Sequence, residues 1–321
     1  MLAGTLYALA AGLMWGLVFV APAMLPEYPA ALLALGRYLA FGLIVLPLAW
    51  LDRRRLAELT RADWRDATAL TLIGNFLYYG LLAAGIQRAG TPLATMIIGT
   101  LPVVIAIASN RRNAARDGLI AWRSLAPSLL LIALGIALVN RDEIAHLRES
   151  GGHLADFALG ALLTIGAVAC WTWYPIRNAD WMRAHPGRPS STWATAQGLV
   201  TLPIAVLGYA LFWAAQAAGL MPALAGFDMP LGPRPLVFAG LMFAIGLFAS
   251  WLGTLCWNQA SARLPTTLVG QLIVFETLSA LLYAFIWRGQ APGVATLAGI
   301  ALLVAGVLLA LRARPRAPAH A

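Results

Sequence analysis

Two ionisable side chains, Arg37 and Glu276, lie well inside long apolar stretches of this sequence. A charged residue at the centre of a membrane helix costs about 2.5 to 3.5 kcal/mol on insertion scales, so it is expected to face the protein interior, a partner or water. Glu276 lies near the middle of its stretch, with Ser279 on the same helical face. We predict that Glu276 binds substrate or carries a coupled proton; a protonated, structural glutamate is the alternative.

Arg37 lies towards the outer end of its stretch. A long arginine stem can snorkel, placing its charged head at the membrane interface, and this structural role is the one we favour. The alternative is a guanidinium that binds a substrate carboxylate through two parallel hydrogen bonds.

Hydrogen-bonding and aromatic side chains form two stripes at helical spacing. One stripe consists of Thr71, Asn75, Tyr78 and Tyr79, and the other of Ser250, Trp251, Thr254, Trp257 and Asn258. Spacings of three, four and seven place such residues on one helix face. The rings would hold a ring or a cation, and the amides and hydroxyls would hold polar groups. Helix contacts joined by polar groups are the alternative. Thr95 belongs to a face of small residues that would let a ligand come close.

The 12 tryptophans divide by their depth. Those near the ends of apolar stretches are predicted to be interfacial anchors: Trp50, Trp64, Trp122, Trp181, Trp193 and Trp287. Trp15 and Trp171 lie deeper and, with Trp257, are candidates for the binding site.

The composition requires a membrane environment. Of 321 residues, 61% are hydrophobic and 11% are charged, against roughly 45 to 50% and about 25% in soluble proteins. At about 20 residues per helical span, the sequence predicts ten spans: 3–21, 30–50, 67–87, 93–109, 124–140, 157–175, 192–216, 235–258, 266–287 and 292–311. Residues 51–66 alternate arginine, acid and leucine, which predicts a short helix on the inner surface.

The distribution of arginine predicts the orientation. With both termini in the cytoplasm, sixteen of the 22 arginines lie in inner loops or in the short basic tail, as the positive-inside rule requires. The net charge of +9 is explained by orientation and by contacts with anionic lipids. We therefore expect membrane lipids as partners and no nucleic acid.

The sequence contains a weak internal repeat. Residues 4–15 recur loosely as residues 160–171, and residues 79–89 as residues 252–262. Five spans per copy place the second copy upside down, a construction used by secondary transporters. The predicted fold is therefore an all-α membrane protein with ten transmembrane helices in two inverted five-helix repeats around a central cavity. The first repeat covers residues 1–140, an external linker 141–156, and the second repeat 157–321.

Chemistry other than transport finds little support in the sequence. All four histidines lie in predicted loops or the tail, both cysteines lie inside spans, and there is no Walker A motif. We predict no cofactor, no metal site and no enzymatic activity. An intramembrane enzyme would need a nucleophile, an acid-base pair or a metal at depth, and a lone carboxylate supplies none of these.

Several short segments resemble the EamA group of the drug/metabolite transporter superfamily over nearly the whole chain. These are Trp15, Arg37, the segment Gly90-Thr91-Pro92-Leu93, and Leu101-Pro102-Val103. The resemblance implies a central cavity lined by spans 1, 3, 4, 6, 8 and 9. Members of the group often have proline where this chain has Glu276, a departure that could change substrate charge or proton coupling.

Within that group, the chain looks most like aromatic amino acid exporters, on the strength of Trp15, Tyr78, Trp171 and Trp257-Asn258. The resemblance implies a secondary transporter in a bacterial inner membrane that exports aromatic or other neutral amino acids by alternating access. Asn75, Thr254 and Asn258 would hold the polar groups of the amino acid. Efflux of organic cations, attracted by Glu276 and aromatic rings, is the alternative function in the same fold.

Overall fold

The computed structural model describes residues 2–112, 121–139, 154–289 and 291–312, and the regular secondary structure in these ranges is helical. No strand occurs in those ranges. A helix satisfies its backbone polar groups internally, as lipid requires. The α-helices of the first half are α1 (Leu2–Trp15), α2 (Val20–Met24), α3 (Ala30–Leu51), α4 (Arg53–Ala57), α5 (Arg61–Leu70), α6 (Tyr78–Ile98), α7 (Leu101–Arg112) and α8 (Trp122–Val139). Those of the second half are α9 (Leu154–Ala184), α10 (Ser190–Ala217), α11 (Pro235–Ala244), α12 (Gly253–Ser261), α13 (Thr266–Leu272), α14 (Val274–Arg288) and α15 (Val294–Arg312).

Seven helical segments in the described ranges are long and apolar enough to cross a membrane: Leu2–Met24, Ala30–Leu51, Arg61–Gly90, Ala155–Ala184, Ser190–Ala217, Pro235–Ser261 and Leu268–Trp287. Two shorter apolar helices, Trp122–Leu138 and Val294–Gly306, accompany them. The protein is therefore a multi-pass membrane protein. Of the predicted linker 141–156, residues 141–153 lie outside the described residues, as do residues 313–321 of the predicted tail.

Residues 51–66, predicted to form one short surface helix, contribute to two helices in the structure. The short helix α4 ends at Ala57, and α5 starts at Arg61 and leads directly into the third membrane helix. Thr60 caps α5: its side chain accepts a hydrogen bond from the Asp63 backbone, and the Asp63 carboxylate accepts one from the Thr60 backbone. This capping box starts the helix before the apolar sequence begins.

Several membrane helices depart from regular α-helix. Residues Gly16–Phe19 form a 3-10 turn between α1 and α2. Residues Thr71–Leu77 and Ile245–Leu252 are π-helical and precede α6 and α12. Gly90, with φ 83°, kinks α6 where the third and fourth predicted spans meet. Such irregular turns are frequent at functional sites.

The helices pack in pairs drawn from the two halves of the chain. α9 packs along α6, α10 along α3, α15 along α8, α13 along α7, and α1 against both α12 and α14. Gly12 and Gly16 bring α1 close to α14, because a Cβ atom on Gly16 would lie 2.6 Å from the Cβ of Ser279. Small residues let membrane helices approach in this way.

Candidate functional site

Trp15 lies at the end of α1 and joins three helices. Its indole Nε1 donates a hydrogen bond to the carbonyl of Ala249 at 2.8 Å. Its ring centroid lies 5.0 Å from that of Trp171 on α9 and 5.0 Å from that of Trp257 on α12. Gly253 makes room for this indole, since a Cβ there would lie 2.7 Å from Trp15 Nε1.

The rings of Trp171 connect Trp15 to two tyrosines. Tyr78 stacks on Trp171 at 4.7 Å, and Tyr174 stacks on Trp171 at 4.9 Å. We call Trp15, Tyr78, Trp171, Tyr174 and Trp257 the ring cluster. All five are buried. Because successive rings contact one another directly, a ligand that enters between them must move at least one ring aside.

Tyr174 belongs to the ring cluster but was missed by the sequence analysis. It lies three residues after Trp171, a spacing that places both rings on one helix face. Its hydroxyl donates to Gln197 Oε1 at 2.9 Å.

Glu276 faces the protein interior, as predicted. Its side chain is 1% exposed and lies in the first turn of α14, after the helix is interrupted at Ile273. The hydroxyl of Tyr78 donates to Glu276 Oε1 at 3.5 Å. The other carboxylate oxygen, Oε2, has no hydrogen-bond partner in the described part of the chain. A buried carboxylate that lacks one partner is well suited to bind a donor.

Arg37 lies inside the protein, so the snorkelling predicted for its side chain was wrong. The residue is 5% exposed, and its Nε donates to Ser250 Oγ at 3.0 Å. The guanidinium carbon lies 4.6 Å from the ring centroid of Tyr79 and 5.0 Å from that of Tyr38. The two cation–π contacts and the hydrogen bond to Ser250 hold the side chain inside the protein, although it is long enough to reach the membrane interface. A desolvated cation–π contact alone contributes about 2 kcal/mol.

Asn258 is part of a buried network of side-chain hydrogen bonds. Its Oδ1 accepts from Asn178 Nδ2 at 2.7 Å, and its Nδ2 donates to the Ser190 carbonyl at 3.4 Å. Asn178 Oδ1 in turn accepts from Trp193 Nε1 at 2.9 Å and from Gln197 Nε2 at 3.2 Å. Because both amide atoms of Asn258 already have protein partners, a substrate would have to compete with them.

The other predicted site residues differ in their surroundings. Thr254 is buried next to the Tyr174 hydroxyl, and Asn75 is half-buried in the π-helical segment Thr71–Leu77. The hydroxyl of Tyr79 donates to the Val18 carbonyl at 3.4 Å. Ser279 donates to the Phe275 carbonyl of its own helix at 2.7 Å. Thr95 is buried in the part of α6 that follows the kink.

Two tryptophans predicted to be interfacial anchors are buried instead. Trp181 and Trp193 stack at 3.6 Å with an interplanar angle of 5°. Trp181 Nε1 donates to Asp63 Oδ1 at 2.8 Å, and Trp193 Nε1 donates to Asn178. The prediction failed for Trp181 because α9 continues to Ala184, well beyond the predicted end at residue 175. It failed for Trp193 because the first turn of α10 packs this ring against Trp181. Trp50, Trp122 and Trp287 are exposed, as anchors should be.

A cavity of about 200 Å³ lies beside this tryptophan pair, on the side where the inner arginine loops were predicted. Its lining includes both charges and aromatic rings: Asp66, Trp173, Arg177, Asp180, Trp181 and His185. Arg112 Nη1 donates to Asp180 Oδ2 at 2.7 Å, so part of the acidic charge is already neutralised.

Membrane-spanning helices that enclose a buried acid and a ring cluster are typical of membrane transport proteins. Residues 2–141 match the EamA-like transporter family. The chain is also 52% identical over 320 residues to the inner membrane protein YtfF of Escherichia coli (strain K12), covering 99% of this chain and 98% of that protein. The chain therefore belongs to the EamA-like transporter family, part of the drug/metabolite transporter superfamily.

More distant relatives carry related names. An uncharacterized transporter, YwfM of Bacillus subtilis (strain 168), is 25% identical and covers 97% of this chain and 94% of its own length. A "Probable terminal-alkyne amino-acid exporter" of Streptantibioticus cattleyicolor is 24% identical over 92% of each chain. A protein of known crystal structure has the same fold, with a TM-score of 0.68, 17% identity and coverage of 96% of both chains.

Proposed function

We propose that the protein is a secondary transporter that exports small amphipathic metabolites, most favourably aromatic or other neutral amino acids, by alternating access. The observation that carries the proposal is the buried Glu276, with one oxygen unpartnered, in contact with the ring cluster through Tyr78. The amino-acid exporter among the relatives supports this substrate class. So does the narrower resemblance to the aromatic amino acid exporter YddG, which stays a prediction.

The proposal includes ten spans in two inverted repeats. A pseudo-twofold axis that exchanges the halves would turn a contact between spans 1 and 8 into one between spans 6 and 3. The contacts of α1 with α12 and of α6 with α9 are such a pair. The contacts of α3 with α10, α7 with α13 and α8 with α15 would each map onto themselves. π-helical turns at Thr71–Leu77 and Ile245–Leu252 give further support, since both precede the same predicted repeat segment.

Each part of a bound amino acid has proposed partners. Tyr78, Trp171 and Trp257 would enclose the side chain, because aromatic faces attract both rings and cations. Asn75, Thr254 and Asn258 would hold polar groups, and Glu276 would bind the ammonium group or carry a coupled proton. We further propose a bacterial inner-membrane location with both termini in the cytoplasm, supported by the arginine distribution.

Efflux of organic cations is the second candidate function. A buried carboxylate next to the stacked rings of Tyr78 and Trp171 would attract a hydrophobic cation as well as an amino acid. Cells that carry the gene would then resist cationic dyes or drugs, whereas an amino-acid exporter would relieve growth inhibition by aromatic amino acid analogues.

An enzymatic role finds no support from the described site, which offers one buried carboxylate and no metal cluster among the described residues.

The decisive experiment is counterflow in proteoliposomes with a panel of radiolabelled amino acids. We expect Phe or Trp to exchange. Glu276→Gln should lower the exchange rate by roughly 10- to 100-fold, because this factor corresponds to the free energy of one hydrogen bond to a charged group. The matched control is Glu58→Gln, which removes an exposed carboxylate paired with Arg188 and should leave the rate unchanged. Equal rates for Glu276→Gln and the parent protein would remove Glu276 from the mechanism.

A further inference from the structure

Arg37 is a buried cation with an unused hydrogen-bond donor. Its Nε bonds to Ser250 and its face lies over Tyr79, while its Nη1 has no partner in the described part of the chain. A guanidinium carries five N–H donors in a planar fork that fits a carboxylate. Leaving one of them buried and unpaired is unfavourable, and such an orphan donor calls for an explanation.

Glu276 presents the complementary orphan acceptor. No ion pair joins Arg37 to Glu276, and Glu276 Oε2 has no partner within the described ranges. Two successive residues contact the two charged groups: Tyr78 bonds to Glu276, and the ring of Tyr79 lies against the guanidinium of Arg37. The interior therefore contains a cation and an anion that each have one unpartnered polar atom, and each of them contacts one of two successive tyrosines.

We propose that Arg37 binds the carboxylate of the transported molecule while Glu276 binds its ammonium group, so that the site takes zwitterionic α-amino acids. This inference rests on the proposed transport function and narrows its substrate class. An α-amino acid carries both charges on one small unit, so it can satisfy the two orphan groups at once. A simple organic cation would satisfy Glu276 but place its charge in the field of Arg37.

The proposal also assigns a role to Ser250 as a positioning residue. Ser250 lies in the π-helical segment Ile245–Leu252, directly after Ala249, whose carbonyl accepts the Trp15 indole. Its hydroxyl fixes Nε of Arg37, which leaves Nη1 for a ligand. The same segment thus orients the guanidinium and the first ring of the cluster.

The test measures binding of three probes to the purified, full-length protein. The probes are phenylalanine, phenylalaninamide, which lacks the carboxylate, and 3-phenylpropionate, which lacks the ammonium group. The parent protein should bind phenylalanine most tightly. Arg37→Gln should weaken phenylalanine roughly 10- to 100-fold and leave phenylalaninamide unchanged or tighter. Glu276→Gln should weaken phenylalanine and leave 3-phenylpropionate unchanged or tighter.

Two further variants separate recognition from folding. Arg37→Lys keeps the positive charge but loses the planar fork, and its preference for phenylalanine over phenylalaninamide should fall at least several-fold even if Arg37→Gln does not fold. Arg88→Gln removes an exposed arginine paired with Asp156 and should retain the parent preference.

The outcomes distinguish this inference from the proposed function. If Arg37→Gln and Arg37→Lys bind phenylalanine and phenylalaninamide in the parent ratio, Arg37 is structural and the inference fails while transport of amino acids stands. If the parent protein prefers phenylalaninamide, the inference fails and cation efflux is favoured. If the parent protein binds no amino acid of a full panel, the proposed function and the inference fail together.

Discussion

The hydroxyl of Tyr78 lies 3.5 Å from Oε1 of Glu276 and joins two residues 198 positions apart in the sequence. This distance is at the outer limit of a hydrogen bond, so the contact contributes little to stability. Tyr78 also stacks on Trp171 at 4.7 Å, a contact that does not need the hydroxyl. The two halves of the chain thus meet through a strong ring contact and a weak polar contact on the same side chain.

Two substitutions of Tyr78 should separate these contacts. Tyr78→Phe keeps the ring and should change the free energy of unfolding by less than about 1 kcal/mol. Tyr78→Ala removes a buried aromatic ring and should cost about 3 to 5 kcal/mol. Thermal unfolding in detergent, followed by tryptophan fluorescence, measures both. If Tyr78→Phe destabilised as much as Tyr78→Ala, the polar contact would be stronger than its length implies.

Gly16 should not tolerate alanine. A Cβ there would lie 2.6 Å from Ser279 Cβ and 2.8 Å from the Ala280 backbone nitrogen, so the 3-10 turn that follows α1 would have to move away from α14. Overpacking of this kind costs about 1 to 3 kcal/mol. Gly80→Ala is the matched control, because a Cβ at this helical position meets nothing within 4 Å. The melting temperature of Gly16→Ala should fall, and that of Gly80→Ala should hold or rise.

The buried network around Asn178 should be sensitive to loss of its central amide. Asn178→Leu removes bonds to Trp193, Gln197 and Asn258. Bonds between membrane helices contribute about 0.6 kcal/mol each on average, so three of them predict a loss of about 2 kcal/mol. Thr172→Val on the same helix removes only a bond to the Val168 carbonyl one turn earlier and should change stability much less. Equal losses in the two variants would show that the network adds nothing to stability.

The loop contact between Glu27 and Arg234 should make stability depend on pH. Arg234 Nε donates to Glu27 Oε1 at 2.5 Å, and this hydrogen bond lowers the pKa of Glu27 below its ordinary value. A lowered pKa means that the contact stabilises the fold above the ordinary glutamate pKa, and that this stability is lost as the pH falls through the lowered value. The effect is small because the pair is exposed.

Glu27→Gln tests this dependence. The melting temperature of the parent protein should exceed that of Glu27→Gln near pH 7, and the difference should vanish once the pH has fallen below the lowered pKa of Glu27. In an Arg234→Gln background, Glu27→Gln should have no effect at either pH. A difference that persisted in acid would show that the side chain acts through packing rather than charge.

The sequence predicted the helices better than the contacts between them. Long apolar runs require helices, since lipid cannot satisfy an exposed backbone, and the spans around Glu276 and Trp15 follow from this alone. Inward orientation of Glu276 also followed, because turning a carboxylate to lipid is unfavourable wherever it occurs in a helix. Span ends were less predictable: α9 runs on to Ala184, and its last turns are held by hydrogen bonds of Trp181 to Asp63 and of Asn178 to Trp193.

The membrane environment, the helical class and the family can be predicted from composition, hydrophobic run length and local motifs, because these need no knowledge of neighbouring helices. The environment of Arg37, in contrast, depends on how the helices pack. The side chain is long enough to reach either the interface or the interior, and the choice depends on Ser250 and Tyr79, which come from helices distant in sequence. The ring cluster was likewise decided by packing, since the distances between Trp15, Trp171 and Trp257 depend on how three helices approach one another.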